Sequence, residues 1–171
     1  MKTNMTDLMS RLAQMQNDFS DASLKIKLNS TRTSIIELNG NTQLIDDAED
    51  FDENFERFVK LSKIIPKLKN IICERNNTLR LENGETIQEA LLRISTLRKL
   101  LDTFGTLASK KPYKKRTTEN TNSYFTSVEL AYDKEKMKKM KEETIAEIQA
   151  LEFGINQLNA AEFEIDMDIS Y

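Results

Sequence analysis

Apolar residues recur in alternating steps of three and four along four segments of the chain, and this rhythm limits the possible folds more than any other feature. The first segment carries it at Met5, Leu8, Leu12, Met15, Phe19, Ala22 and Ile26. Residues with this spacing share one face of an α-helix, whereas in a β-strand every second residue shares a face. The pattern predicts a helix that ends near Leu28. Thr3, Asn4 or Thr6 can cap its first turn.

The same rhythm predicts three more helices, over about 50–76, 86–109 and 133–159. Their stripes are Phe51, Phe55, Phe58, Leu61, Ile65, Leu68 and Ile72; then Ile87, Ala90, Leu91, Ile94, Leu97, Leu101 and Phe104; and finally Met137, Lys141, Thr144, Ile148, Leu151, Ile155 and Leu158. Pro66 lies inside the second helix and lacks an amide proton, so a bend is expected near Ser62. Thr86 and a glutamate three residues later have the spacing of a capping box.

The segments between these helices lack the helical rhythm. The segment of about 29–50 predicts a long irregular connection, and that of about 110–122 predicts a polar loop. Over about 162–170, apolar side chains alternate with polar ones, and most of the polar ones are acidic. This alternation predicts a C-terminal strand. Because a lone strand leaves backbone groups unpaired, it needs a partner. Residues 122–130 are the best candidate, since they are rich in aromatic and β-branched side chains.

The composition also favours a helical protein. Only six of the 171 residues are Gly or Pro, which argues against all-β folds because these need a turn every few residues. The length is that of one domain. The sequence therefore predicts a single, mainly α domain over residues 1–171. Its expected architecture is an antiparallel, coiled-coil-like bundle of four helices with a small antiparallel β element.

The residue types that are missing exclude several kinds of active site. Without His, the chain cannot form a Ser-His-Asp triad, a Cys-His pair or a His-ligated zinc site by itself. Cys73 is the only cysteine and follows two isoleucines, which predicts a buried apolar role. The first residues lack the apolar core of a signal peptide. We expect a cytoplasmic protein that is not an enzyme, with no cofactor, no metal and no small-molecule substrate.

Seven carboxylates crowd into residues 46–56. Asp50, Asp52 and Asn54 alternate like the first ligands of a calcium loop, but Phe55 stands where such a loop has Gly. The N-terminus of a helix favours negative charge, and this explains the cluster better.

Three sequence motifs follow one another in a recognisable order. They are RNNTLRLENGETIQEALLRISTLRKL over Arg75–Leu100, SYFTSVEL before the fourth predicted helix, and INQLNAAEFEI near its end. This order resembles that of a bacterial family of helical proteins, some of whose members carry the name septicolysin. The resemblance covers most of the chain and is weakest over 29–50. The family has no established activity, so the resemblance implies a fold and no functional site.

The stripes predict a structural or interaction protein that assembles into a homo-oligomer. Several stripes are wider than a contact between two helices needs, and each apolar side chain left in water forgoes about 1.5–3 kcal/mol. The predicted interface consists of Leu91, Ile94, Leu97, Leu101 and Phe104. The main alternative is a membrane-active, hemolysin-like toxin, the one case in which a membrane is a partner. Acids and bases are interspersed on the polar faces, as in solvent-facing helices of a bundle, and this favours the first hypothesis.

A run of positive charge raises a further alternative, nucleic-acid binding. The run consists of Lys110, Lys111, Lys114, Lys115 and Arg116. These side chains are candidates for phosphate contacts, with Tyr113 stacking on a base. The net charge of −3 and the acidic residues of the next helix favour a solvated loop. Nucleic acid is therefore not expected as a partner.

Overall fold

The computed structural model describes residues 1–46, 50–119 and 122–166. In this part of the chain the main elements are the helices α1 (Met5–Leu28), α2 (Phe51–Thr78), α3 (Ile87–Ser109) and α4 (Lys134–Ala160). The strands are β1 (Lys2–Thr3), β2 (Thr33–Ile36), β3 (Thr42–Asp46), β4 (Tyr113–Glu119), β5 (Asn122–Val128) and β6 (Phe163–Glu164). The strands pair antiparallel, two by two. The predicted fold class, a mainly α protein with small antiparallel β elements, is confirmed.

The chain divides into two compact units that share a helix–hairpin–helix order. The first unit comprises Met1–Thr78 and the chain from Leu158 onward, and the second comprises Leu79–Gln157. In the first unit the β2–β3 hairpin connects α1 to α2, and in the second the β4–β5 hairpin connects α3 to α4. Each unit is therefore built on a helix–hairpin–helix.

The stripes of α1 and α2 form the core of the first unit, as their rhythm predicts. The buried core consists of Leu8, Met15, Leu61, Ile65, Leu68 and Ile165. Phe19 stacks on Phe58 with the ring centroids 4.3 Å apart. Because Phe19 lies in the second half of α1 and Phe58 in the first half of α2, the two helices run antiparallel. Burial of each large aliphatic side chain contributes about 1.5–3 kcal/mol to folding.

A hairpin occupies most of the segment that was predicted to be irregular, so the prediction for 29–50 was wrong over 33–46. Its turn contains Asn39 and Gly40. The Gly40 amide donates to the Glu37 carbonyl at 2.9 Å, and Gly40 has a φ of 89°, a value that glycine adopts at no steric cost. The β-branched residues on both sides then favour extended backbone.

The prediction of a polar loop over 110–122 was also wrong, because most of this segment forms strand β4. This strand pairs along its whole length with β5. Thr117 and Thr118 favour extended backbone despite the positive charge before them. In the described residues β5 pairs with β4 alone and β6 pairs with β1, so the prediction that residues 122–130 pair with the C-terminal strand is incorrect too.

The C-terminal strand pairs instead with the first residues of the chain, since β6 lies antiparallel to β1. The Met1 ammonium group donates to the Ile165 carbonyl at 2.8 Å, and the Ile165 amide donates to the Met1 carbonyl at 3.0 Å. Of the strand predicted over 162–170, the structure has 163–164, and 167–170 lies outside the described residues.

Helix α4 contains Gly154, and the close approach of a neighbouring side chain explains why a glycine stands there. A Cβ atom placed on Gly154 would lie 3.0 Å from Cδ2 of Leu81. Glycine inside a helix costs about 1 kcal/mol relative to alanine. At this position it leaves room for the buried side chain of Leu81.

Helix α3 begins with the capping box that the sequence predicts. The Glu89 amide donates to Oγ1 of Thr86 at 3.1 Å, and the Thr86 amide donates to Oε2 of Glu89 at 2.8 Å. Each side chain therefore accepts a backbone amide that would otherwise lack a partner in the first turn.

We expect Thr86→Ala to lower the free energy of unfolding by about 0.5–2 kcal/mol, because the first turn of α3 is left with an unpaired amide. Thr86→Ser is the matched control, since it keeps the hydroxyl oxygen and should lose much less. Urea denaturation followed by circular dichroism measures both variants. Equal losses would contradict the role of the hydroxyl.

The Glu89 carboxylate makes the contribution of the capping box to stability depend on pH. The backbone amide of Thr86, and then its hydroxyl, donate to Glu89 and hold its pKa below the ordinary value of 4.5. A carboxyl whose pKa is lowered in the folded state stabilises the fold above its unfolded pKa, and this contribution disappears as the pH falls through the folded pKa. The stability difference between wild type and Glu89→Ala should therefore shrink as the pH drops below 4.5.

Candidate interaction surfaces

The β4–β5 hairpin carries the positive run that the sequence singled out. Alternate residues of paired strands lie on opposite faces, and directly opposite residues share a face. One face holds Tyr113, Lys115 and Thr117 opposite Val128, Thr126 and Tyr124. The other face holds Lys114, Arg116 and Thr118 opposite Ser127, Phe125 and Ser123. Both faces therefore combine positive charge with an aromatic ring.

The described side chains of this hairpin are open to solvent on both faces. Phe125 is 72 % exposed, Tyr113 59 % and Tyr124 46 %. Thr117 is half-buried, and the others are exposed. A sheet that packs on a core has one buried and one exposed face, and this hairpin does not. Its two faces are both free for a partner.

The five cations proposed as phosphate contacts are divided by the strand geometry. Lys110 and Lys111 precede β4, Lys115 lies on one face, and Lys114 and Arg116 lie on the other. The structure therefore does not bring all five to one surface.

Two hydrogen bonds join the start of α4 and the residues before it to the end of α3 and the residue after it. The Tyr132 hydroxyl donates to the Leu107 carbonyl at 2.6 Å, and Nζ of Lys134 donates to the Lys110 carbonyl at 2.8 Å. The second bond brings the ammonium group of Lys134 close to the positive run. These contacts fix the point at which the hairpin leaves the helices.

The β2–β3 hairpin exposes aliphatic side chains on both of its faces. Ile36 is 73 % exposed and Ile35 50 %. Because these two are neighbours in one strand, their side chains point to opposite faces. Leu44 and Ile45 of the partner strand are also exposed. In this hairpin, as in β4–β5, none of the described side chains is buried.

The residues predicted to form an oligomer interface on α3 lie in different surroundings. Ile94 and Leu97 are buried within the chain, Leu101 and Phe104 are half-buried, and Leu91 is exposed. The two buried residues stabilise the protomer itself. Only part of the predicted set is therefore open to a second chain.

An open groove of about 510 Å³ lies beside this stripe. Leu91 and Ile94 of α3 and Ile155 of α4 give it an apolar lining. An ion pair between Arg98 and Glu152, with N and O atoms 2.8 Å apart, borders it.

Arg93 links the segment before α3 to α4. Its guanidinium group bonds to the Glu85 carboxylate at 2.7 Å and also to the Glu147 carboxylate. Hydrogen bonding to Glu85, and then to Glu147, raises the pKa of Arg93 above its ordinary value. This arrangement is a structural ion-pair network on the surface of the second unit.

The cation–π contact of Arg75 attaches the C-terminal strand to α2. Its guanidinium carbon lies 3.4 Å from the centroid of the Phe163 ring. Nε of Arg75 is buried, and no described residue accepts a hydrogen bond from it. A cleft of about 280 Å³ adjoins this contact.

The acidic segment forms no metal site in the part of the chain that the structure describes, where no three His, Cys, Asp or Glu residues are grouped to hold a metal ion. Asn54, the third position of the calcium-like run, is buried and donates to the Asp50 carbonyl at 2.6 Å. The amide side chain therefore closes the first turn of α2.

Cys73 is exposed, so the prediction of a buried apolar role was wrong. The apolar stripe of α2 passes through Ile72, and the next residue along a helix points about 100° away from it. Nδ2 of Asn77 donates to the Cys73 carbonyl at 2.8 Å.

Tyr124 and Phe125 belong to the surface of the β4–β5 hairpin, and the sequence analysis did not assign them to it. The signal was present, because the basic run and the aromatic segment lie close together in the sequence with only polar residues between them. A hairpin joining the two segments places the aromatic rings among the cations.

No protein-family model matches the chain, and neither a curated protein nor a solved structure matches it. None of the helices in the described ranges is long and apolar enough to cross a membrane.

Proposed function

We propose that this chain is a non-enzymatic structural protein that works by assembling with copies of itself. One observation carries the proposal: both hairpins expose large apolar side chains on both faces. These side chains are Ile35, Ile36, Leu44, Ile45, Tyr113, Tyr124, Phe125 and Val128.

Such surfaces favour association for two physical reasons. A hairpin of two strands is marginally stable in water unless further strands or a helix cover it. Contiguous apolar patches on a protein surface mark interaction sites, because their burial removes apolar area from water. Leu92 and Phe153 add exposed apolar area on the helices of the second unit, at 61 % and 65 % exposure.

Light scattering on the purified chain over a dilution series tests the proposal. A mass of at least twice 19.8 kDa at micromolar concentration is the expected result. A single-chain mass throughout the series would overturn self-assembly as the function.

The arrangement of charge and aromatic rings on β4–β5 favours a second candidate function, binding of single-stranded nucleic acid. Tyr113 and Tyr124 share one face of the hairpin. Tyr124 lies opposite Thr117, four positions along β4 from Tyr113, so the two rings are about 13 Å apart along the strands at about 3.3 Å per residue, with Lys115 between them. Bases stack on aromatic rings, and lysines neutralise the phosphates between the bases.

Fluorescence anisotropy with a labelled single-stranded oligonucleotide tests this second candidate. A triple variant, Lys114→Gln, Lys115→Gln and Arg116→Gln, should bind roughly tenfold or more weakly than wild type, and wild-type binding should weaken with salt. The control removes three exposed charges of α2 by Lys60→Gln, Lys63→Gln and Lys67→Gln. Equal losses in both variants, or no binding by wild type at low salt, would exclude a site on the hairpin.

A further inference from the structure

The two edges of the β4–β5 sheet differ in charge. The sheet has two strands in the described chain, so each strand has one edge without a neighbour. Strand β4 carries three consecutive cations, Lys114, Lys115 and Arg116, whereas β5 has no charged residue over Asn122–Val128. Charged side chains on an edge strand discourage pairing with another chain. The edge of β5 lacks this protection.

The residues of β5 are also well suited to pairing. Tyr124, Phe125, Thr126 and Val128 are of the aromatic and β-branched types that favour strands. The Phe125 ring is 72 % exposed beside its cross-strand neighbour Arg116. A further strand along this edge would cover its open side.

We propose that β5 pairs antiparallel with β5 of a second copy of this chain, about a two-fold axis at Phe125, to form a four-stranded sheet. The inference rests on the proposed self-assembly and identifies the strand through which it occurs. Phe125 is the middle residue of the seven in β5, so an axis at this position pairs the strands over their full length.

The symmetric register is compatible with the faces of the sheet. With the axis at Phe125, Tyr124 lies opposite Thr126 of the partner subunit and Ser123 lies opposite Ser127 of the partner subunit. Each pair joins residues that already share a face, so side chains keep their alternation across the new interface. Phe125 then faces Phe125 of the partner subunit, and directly opposite aromatic residues stabilise a sheet.

The other strand does not offer such a self-complementary edge. An axis at Arg116, the middle of β4, would place Arg116 opposite Arg116 of the partner subunit, and like charges opposite each other are destabilising. Pairing β4 of one copy with β5 of the next would leave free edges at both ends and would not close into a dimer. A nucleic acid is a poor match for the β5 edge, because the cations lie on β4. The edge of β5 therefore fits a second copy best.

Charge variants at the axis test the proposal. Phe125→Lys and Phe125→Glu each place like charges opposite each other, so light scattering should show the mass falling by about half, from dimer to monomer. An equimolar mixture of the two variants places Lys opposite Glu and should restore the dimer mass. Thr118→Lys, which adds a charge at an exposed position of β4 away from the proposed interface, should leave the dimer intact. Circular dichroism confirms that each variant retains its helices.

The outcomes separate this inference from the proposed function. If wild type is a dimer and both Phe125 variants remain dimers, the pairing through β5 is wrong, whereas self-assembly stands. Loss of the dimer in Thr118→Lys as well, or failure of the mixture to restore it, would also overturn the pairing. If wild type has the mass of one chain, both the inference and the proposed function fail.

Discussion

Leu8→Ala is expected to lower the free energy of unfolding by about 2–5 kcal/mol. The Leu8 side chain is fully buried in the core that α1 and α2 share. Alanine removes three carbon atoms from this core, and the other side chains of the core cannot fill the space completely. The loss therefore combines the missing burial with the cost of a cavity.

Leu24→Ala is the matched control for this prediction, because Leu24 lies on the same helix and is 56 % exposed. The same residue is exchanged in both variants, so the change in helix propensity cancels. Urea denaturation should show little change for Leu24→Ala. Similar losses in the two variants would mean that Leu8 does not lie in the core.

Pro66→Ala is expected to stabilise the protein by about 1–3 kcal/mol. Helix α2 runs without a break through Pro66, although proline has no amide proton to donate to the carbonyl of Ser62. Alanine restores this hydrogen bond and removes the clash of the proline ring with the preceding turn. Proline also restricts the unfolded chain, and losing that restriction offsets about 0.4–1 kcal/mol of the gain.

Thermal and urea denaturation measure this effect, with Lys67→Ala as the control at the next exposed position of α2. A gain in Pro66→Ala that Lys67→Ala lacks would confirm the cost of the missing hydrogen bond. A decrease in Pro66→Ala would show that the proline ring contributes more as part of the surface beside Phe19 and Ile65 than it costs the helix.

The helices could be predicted closely from the sequence because their burial is one-sided. Each carries an apolar stripe that faces a core, so the 3–4 spacing is visible without knowledge of the partner. The start of α3 could be predicted because Thr86 and Glu89 form a capping box, a motif that is contained within four residues. The sequence predicts 50–76 for α2, and the helix spans 51–78.

Strand β5 was predicted within residues 122–130, whereas β2, β3 and β4 were not predicted, for the opposite reason. No described side chain of β2–β3 or β4–β5 is buried in a core, so apolar and polar residues need not alternate along the strands. The Asn39–Gly40 turn signal was present, but the strands beside it are short. The partner of β6 could not be predicted, because β1 has only two residues and carries no periodic pattern.

The cations and Tyr113 of the β4–β5 surface could be predicted from the sequence, whereas the roles of Tyr124 and Phe125 and the geometry could not. The positive run from Lys110 to Arg116 can be recognised from the sequence alone. Its division between two faces follows from the register of β4 against β5, which depends on the whole hairpin. The burial of Ile94 and Leu97 likewise depends on tertiary packing, since exposed and buried positions of one stripe have the same spacing.

The bonds between Met1 and Ile165 bear on the order of folding, because they join residues 164 positions apart. Closing a loop of this length has a larger entropic cost than closing either helix–hairpin–helix, whose contacts are local in sequence. The helix pairs are therefore expected to form in the transition state, and the β1–β6 ladder is expected to form after it. For the same reason, substitutions at Thr3 should change the unfolding rate more than the folding rate.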